Sequence, residues 1–310
     1  MTLPHLDAAA VSAATPYPAL IDALADAFRD ARVTAPARHG HALPGGNTLL
    51  LMPAWSEGGP YGVKLVSVFP GNGTRSLPAI QGVYLLFDGA TGQPIASLDG
   101  AELTARRTAA ASALAARHLA PRDASRLLLV ATGRLGPELA QAHADVRPIR
   151  QIRVAGRDPA RVAALVQRLG KLGFEAEAAP SLPEAIGWAD LISCATLATA
   201  PWITGRHLRP GQHLDLVGAF RPDMVEADPD AVDRADLVAV DTREGAMHEA
   251  GDLLQAIAAG RFEAGRIACD LAGLVGGAHP GRTQDDQVTL FKSVGAAIED
   301  LAAARLATGC

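Results

Sequence analysis

Directly after an apolar run ending in Val130, the chain reads Ala131-Thr132-Gly133-Arg134-Leu135-Gly136 and opens a helical stretch at Pro137. A short strand, a glycine-bearing turn and a helix N-terminus, in that order, suit a pyrophosphate, because free backbone N–H groups and the positive end of the helix dipole face the anion. Alanine at 131 replaces the first glycine of the GxGxxG pattern, so the turn must form with a Cβ present. Gly133 still permits close backbone approach and Gly136 still permits close helix packing. The same letters suit an ordinary βα turn, and the strands that follow are what favour the nucleotide reading. About 20 residues on, where an NAD fold ends its second strand in Asp or Glu, the chain has Ala155-Gly156-Arg157. A guanidinium there can pair with a 2′-phosphate that a carboxylate would repel, which favours NADP(H), with NAD(H) also possible. The alternative for Arg157 is a solvated surface arginine. Thr196, ending LISCAT, and Val217-Gly218, following HLDL, fall at the carboxyl ends of strands, the edge where doubly wound sheets bind ligands.

Three cations nearer the N-terminus are the second group able to do chemistry. Lys64 lies inside YGVKLVSVF between Val63 and Leu65, Arg38 follows Pro36, and Arg107 begins RTAAASALAA, an alanine-rich helix suited to close packing. A guanidinium buried there is costly unless it meets an anion, and a carboxylate substrate would provide one. Taken singly, each could equally be a snorkelling or salt-bridged surface residue; their conjunction raises the functional reading.

These residues need elements to hold them. Apolar positions at helical spacing predict an amphipathic helix over 17–31, covering a sheet. From Asn47 to Leu98, short runs rich in valine, leucine and tyrosine alternate with SEGGP, PGNGTRSLP and GATGQ, the pattern of an antiparallel meander. Asp99-Gly100 then leads into a long helix that Pro121 stops. Beyond it, strands RLLLVA, QIRVA, FEAEAA, LISCAT, HLDLVG and LVAVD are interleaved with helical segments, which implies a parallel sheet. The last stretch, residues 287–307, reads as one long helix returning to the first domain.

Length and composition bound the rest. With 310 residues, two domains are expected: a substrate-binding and dimerisation domain of 1–118 with 290–310, and a nucleotide domain of 119–289. The fold class is α/β, a central Rossmann doubly wound parallel sheet plus a split α+β domain. A net charge of −5 with basic and acidic residues interspersed gives no stripe for displacing counterions from nucleic acid. No signal-peptide pattern or span of roughly 18 apolar residues is present, so a cytoplasmic protein without a membrane partner is expected. Cys194, Cys269 and Cys310 share no CxxC or Cys/His spacing, so neither a disulfide scaffold nor a metal site is expected.

The segments LLLMPAW, GVKLVSVFPGN, LTARRTAAASALAA, VATGRLGPELAQAH, LVGAFRPDM, EAGDL and TLFKSVGAAIEDLAAA resemble the ornithine cyclodeaminase and mu-crystallin family over nearly the whole chain. The resemblance implies a split substrate domain whose strands form the interface of a homodimer, a central Rossmann domain, and a site between them for a small amino or imino acid. It further implies that Arg38, Lys64 and Arg107 bind the substrate carboxylate and that Ser293-Val294-Gly295 approach substrate and nicotinamide. One departure is informative. Where a cyclodeaminase carries an aspartate two residues after the glycine matching Gly218, this chain has Phe220, which cannot act as a general acid or base. The GAFRPDM and AHADVRPI stretches look more like the branch of cyclic ketimine reductases acting on Δ1-pyrroline-2-carboxylate and Δ1-piperideine-2-carboxylate, giving L-proline or L-pipecolate, with Lys64 or water supplying the proton. The competing expectations are an ornithine cyclodeaminase or amino-acid dehydrogenase using Asp223 or another carboxylate, and a non-catalytic protein binding NADPH and a small ligand.

Overall fold

A computed structural model describes residues 3–75 and 77–310. The chain divides into two compact units, Met1–Thr108 with Ala296–Cys310, and Ala109–Gly295.

The elements that begin in the first unit are β1 (His5–Leu6), α1 (Ala8–Ala14), α2 (Tyr17–Arg29), β2 (Val33–Thr34), β3 (His39–Leu43), β4 (Asn47–Ser56), β5 (Tyr61–Val68), β6 (Ile80–Phe87), β7 (Pro94–Asp99) and α3 (Gly100–Leu119). The four longest strands, β4 to β7, form the expected antiparallel meander; β1 adds in parallel to β7, while β2 and β3 pair with β4. Because side chains alternate across a strand, one face carries the buried Met52 and Ala54, Lys64 and Val66, Tyr84 and Leu86, Ala96 and Leu98. The other carries Leu49, Leu51, Pro53 and Trp55, then Tyr61, Val63 and Leu65, then Val83, Leu85 and Phe87, apolar yet at most partly buried.

In the second unit follow β8 (Arg126–Val130), α4 (Leu135–Val146), β9 (Gln151–Val154), α5 (Pro159–Lys171), β10 (Glu175–Ala178), α6 (Leu182–Trp188), β11 (Leu191–Cys194), β12 (His213–Leu216), α7 (Pro229–Asp233), β13 (Leu237–Val240), α8 (Arg243–Glu249), α9 (Gly251–Ala258), β14 (Ile267–Asp270), α10 (Leu271–Val275) and β15 (Thr289–Lys292); α11 (Ala297–Thr308) returns to the first unit. All eight strands of the second unit pair in parallel, in the order β10-β9-β8-β11-β12-β15-β13-β14. Such a sheet is covered on both faces, which is why Leu128, Ile192, Leu214, Val238 and Leu290 are fully buried or nearly so. Strand order reverses between β8 and β11, making a crevice at their carboxyl ends.

Two expectations change. Residues 287–307 are not one helix: Thr289–Lys292 is a strand, all four residues buried between β12 and β13, and only Ala297–Thr308 is helical. The sheet had a place for a short run buried on both faces, and helical periodicity cannot distinguish that from a buried helix turn. The amphipathic helix α2, which ends at Arg29, has α11 as its main partner, and it is α11 that packs on β4, β5 and β6. In addition, α7 to α10 and β14 occupy a region where the sequence indicated only the strand ending at Asp241.

Candidate active site

The crevice of the second unit is built from loops at the carboxyl edge of its sheet. The chain leaves β8 at Val130 and enters α4 at Leu135, so Ala131, Thr132, Gly133 and Arg134 span the turn, with Arg134 at the helix N-cap. Ala131 is almost fully buried in this turn, so its Cβ is accommodated where the pattern has glycine. A Cβ on Gly136 would stand 2.7 Å from the Ala131 carbonyl oxygen, and one on Gly156 would stand 2.4 Å from Thr132 Cγ2, whereas Gly133 has open space. These glycines hold helix and strands close and leave backbone approachable at 133, which fits a dinucleotide pyrophosphate at the N-terminus of α4. Arg157 is exposed just past β9, and Asp158 beside it caps α5 through the Ala160 and Arg161 amides.

Across the reversal point, a buried glutamate that the sequence reading missed ties two candidate loops together. Glu226 Oε1 accepts from the Thr196 amide at 2.6 Å and the Thr196 hydroxyl at 2.8 Å, and Oε2 accepts from the Gly218 amide at 2.6 Å. A Cβ on Gly218 would stand 1.9 Å from the Thr196 carbonyl oxygen, so only glycine allows these loops to meet. Behind Glu226, Asp252 Oδ1 accepts from the Glu226 and Ala227 amides, and Asp252 Oδ2 pairs with Lys292 Nζ at 2.9 Å. Burial, opposed by Lys292 and reinforced by Asp252, raises the Glu226 pKa to about 7.

A second unforeseen carboxylate fixes the turn after β15. Asp241 Oδ2 accepts from the Ser293 hydroxyl at 3.0 Å, the Val294 amide at 2.7 Å and the Gly295 amide at 2.6 Å. Gly295 takes φ +82, which side chains rarely allow. Ser293 and Gly295 are therefore presented by a clamped backbone, a precondition for positioning a reactant.

In the first unit, Lys64 and Arg107 meet α11. Lys64 Nζ lies 2.9 Å from Asp300 Oδ1, Arg107 Nε donates to the same oxygen at 2.9 Å, and Arg107 donates to Glu299 Oε2 at 2.6 Å. All four side chains are nearly or fully inaccessible. The anion that sequence reasoning assigned to a bound substrate is thus supplied in the first instance by the protein. Burial and the Arg107 charge lower the Lys64 pKa to about 8, against the pull of Asp300, and Arg38 adds a further lowering. Burial opposes the charge on Arg107, but Asp300 and Glu299 outweigh it and hold its pKa above the ordinary value. Tyr84, paired opposite Lys64 on β6, is buried with its hydroxyl lacking a hydrogen-bond partner, and burial followed by Asp300 raises its pKa. The half-buried Arg38 adds a third cation whose charge reaches Lys64.

The neighbouring Arg106 has a structural role, stacking on Tyr17 and donating to Thr15. His143, Ser193 and Asp215 superficially suggest a nucleophilic triad. The Ser193 hydroxyl, however, donates to Asp215 at 2.6 Å, and all three side chains are inaccessible, so no histidine activates the serine. Asp223 is exposed and ion-paired with Arg221, whose hydrogen bond lowers its pKa, while Phe220 packs against the core of the second unit.

Comparison with known proteins agrees with the fold. The model of the ornithine cyclodeaminase/mu-crystallin family matches residues 6–308. The Δ1-pyrroline-2-carboxylate reductase of Paracoccus denitrificans is 38% identical over 276 residues, 85% of this chain and 87% of that protein. The structure of the Thermococcus litoralis Δ1-pyrroline-2-carboxylate reductase in complex with NADH and L-proline superposes with a TM-score of 0.94 at 30% identity, covering 99% of this chain and 97% of the other. An archaeal alanine dehydrogenase dimer with bound NAD gives a TM-score of 0.92 at 25% identity, covering 100% and 96%.

Proposed function

Since the chain belongs to the ornithine cyclodeaminase/mu-crystallin family, we propose that it reduces cyclic imino acids, Δ1-pyrroline-2-carboxylate and the six-membered Δ1-piperideine-2-carboxylate, to L-proline and L-pipecolate with a reduced nicotinamide cofactor. The observation that carries the reading is the Lys64 environment: a buried amine set against Asp300 and Arg107 with its pKa lowered to about 8, close enough to neutrality to give and regain a proton.

Thr132, Gly133, Arg134 and Leu135 would hold the pyrophosphate, and Gly156, Arg157, Thr196, Val217 and Gly218 the rest of the dinucleotide. The cofactor, when bound, supplies the hydride that the C=N carbon accepts. Arg157, exposed where a ribose-binding acid would otherwise stand, supports a preference for NADP(H). Arg38, Lys64 and Arg107 bind the imino acid's carboxylate, with Asp300 and Glu299 holding the last two in place. Lys64 gives a proton to the ring nitrogen, and the clamped Ser293-Val294-Gly295 turn orients the ring. With Phe220 apolar and Asp223 exposed and paired, neither position offers an acid poised to process an amine leaving group, which favours simple reduction over cyclodeamination.

The half-buried apolar face of β4, β5 and β6, with Trp55 and Tyr61 exposed, suits burial in a homodimer. A cytoplasmic location accords with the three free cysteines.

The test is to follow NADPH and NADH absorbance with each imine and, separately, ammonia release from ornithine with NAD. Imine-dependent oxidation of NADPH in preference to NADH is expected. Ammonia from ornithine without imine reduction would replace this reading by a cyclodeaminase, and no turnover in either assay would leave a binding protein.

A further inference from the structure

At the amino-terminal edge of the parallel sheet of the second unit, opposite the nucleotide crevice, lies a polar cavity of about 950 Å³ whose lining includes six arginines and three aspartates. Asp190 is consumed by two of the arginines, Arg126 and Arg209, each 2.7 Å away. The remaining four, Arg117, Arg122, Arg147 and Arg282, come from the end of α3, the loop after it, the loop after α4 and the segment before β15.

Part of this cluster has a structural explanation. Arg147 donates to the carbonyls of Ala120, Val146 and Arg117, and Arg282 to those of Leu119, Gln212 and Gln287, so both cap the carboxyl end of α3. A helix C-terminus carries only about half a negative charge; Asp285, Asp236 and Asp286 partly offset Arg282, but most of the positive charge on Arg147 is left uncompensated. Neither Arg147 nor Arg282 has a carboxylate within ion-pair distance, and Arg122 has neither a hydrogen bond nor an ion pair among the described residues. Burial together with Arg122, Arg282 and Arg117 lowers the Arg147 pKa to about 10, as expected of a guanidinium among like charges with no anion nearby. Capping alone would not gather an exposed, unpaired Arg122 beside it.

We propose that this arginine-lined cavity is a second ligand site, taking a small polyanion that bears two or more phosphoryl or carboxylate groups. Its volume falls within the about 300–1,000 Å³ of small-molecule sites, and guanidinium forks match both groups bidentately. A ligand here would touch the start of β8, the residues leading into β11 and β12, and the end of α3, and so bear on the sheet that carries the nucleotide loops at its other edge.

The test is calorimetric titration of the whole protein, saturated with NADH, with inorganic tripolyphosphate and, separately, with citrate. Saturable binding of one or both is expected, and their relative affinity distinguishes a phosphoryl from a carboxylate ligand. Arg122→Glu should weaken that binding roughly tenfold or more while leaving the NADH titration unchanged; Arg122 is exposed and unpaired, so the variant should fold, and Arg122→Ala serves as a milder second variant. Binding of neither anion, binding undiminished in both variants, or competition between the anion and NADH would overturn the proposal.

Discussion

Lys64 and Asp300, 236 positions apart in sequence, are joined at 2.9 Å inside the first unit. The strand β5 delivers the amine and the closing helix α11 delivers the carboxylate, so the end of the chain completes a site begun near its start. The same Asp300 oxygen accepts from Arg107.

Removing Asp300 strands the buried Lys64 and leaves Arg107 with Glu299 alone. Breaking a buried ion pair from one side costs about 3–5 kcal/mol, so Asp300→Ala should lower the urea unfolding midpoint by an amount corresponding to that range. A change under about 1 kcal/mol, the scale of an exposed pair, would show that the cluster is solvated in solution.

Lys64 titrates near pH 8 when folded and near 10.5 when free. Between those values the unfolded chain binds the extra proton, so this group's contribution makes stability rise with pH across that window. Activity runs the other way: if the charged amine holds the carboxylate and gives the proton, kcat/KM should fall as pH rises through about 8. Lys64→Arg should remove that limb of the profile, and an unchanged limb would assign it to another group.

Arg38 reaches Lys64 electrostatically but is only half-buried, which makes it the cleanest probe of carboxylate binding. Arg38→Ala is expected to raise KM for the imino acid roughly tenfold, the loss of one charged hydrogen bond, with little change in kcat. An unaltered KM would remove Arg38 from the substrate site.

Arg157→Ala should raise KM for NADPH roughly tenfold or more and leave KM for NADH nearly unchanged, because only the former carries a 2′-phosphate. Equal effects on both cofactors would make Arg157 a general surface contact.

Glu226 titrates near pH 7 in the fold against an ordinary value of 4.5. The folded state therefore holds the additional proton between those values, and this group's contribution makes stability fall as pH rises from about 4.5 to about 7. Glu226→Gln should flatten that part of the thermal-midpoint profile. It should also weaken NADH binding, since the amide cannot accept from both Thr196 and Gly218.

The sequence by itself determined the elements and motifs whose signal is local: the meander, the long helix after Asp99, the parallel strands through LVAVD, and a turn at Ala131–Gly136 whose order of strand, glycine and helix requires no distant residue. It also marked Lys64 and Arg107 as out of place among apolar neighbours, because burying a charge is costly wherever it happens. Tertiary structure alone decided what met those charges. Adjacent Arg106 and Arg107 look alike in sequence, yet helical geometry sends one to Tyr17 and Thr15 and the other to Glu299 and Asp300. Glu226, Asp241 and Asp252 gave no local signal either, since their partners lie in loops brought together only at the sheet's carboxyl edge. Residues 289–292 became a strand for the same reason: a short apolar run takes the conformation of the gap it fills, and the gap between β12 and β13 exists only once the sheet has formed.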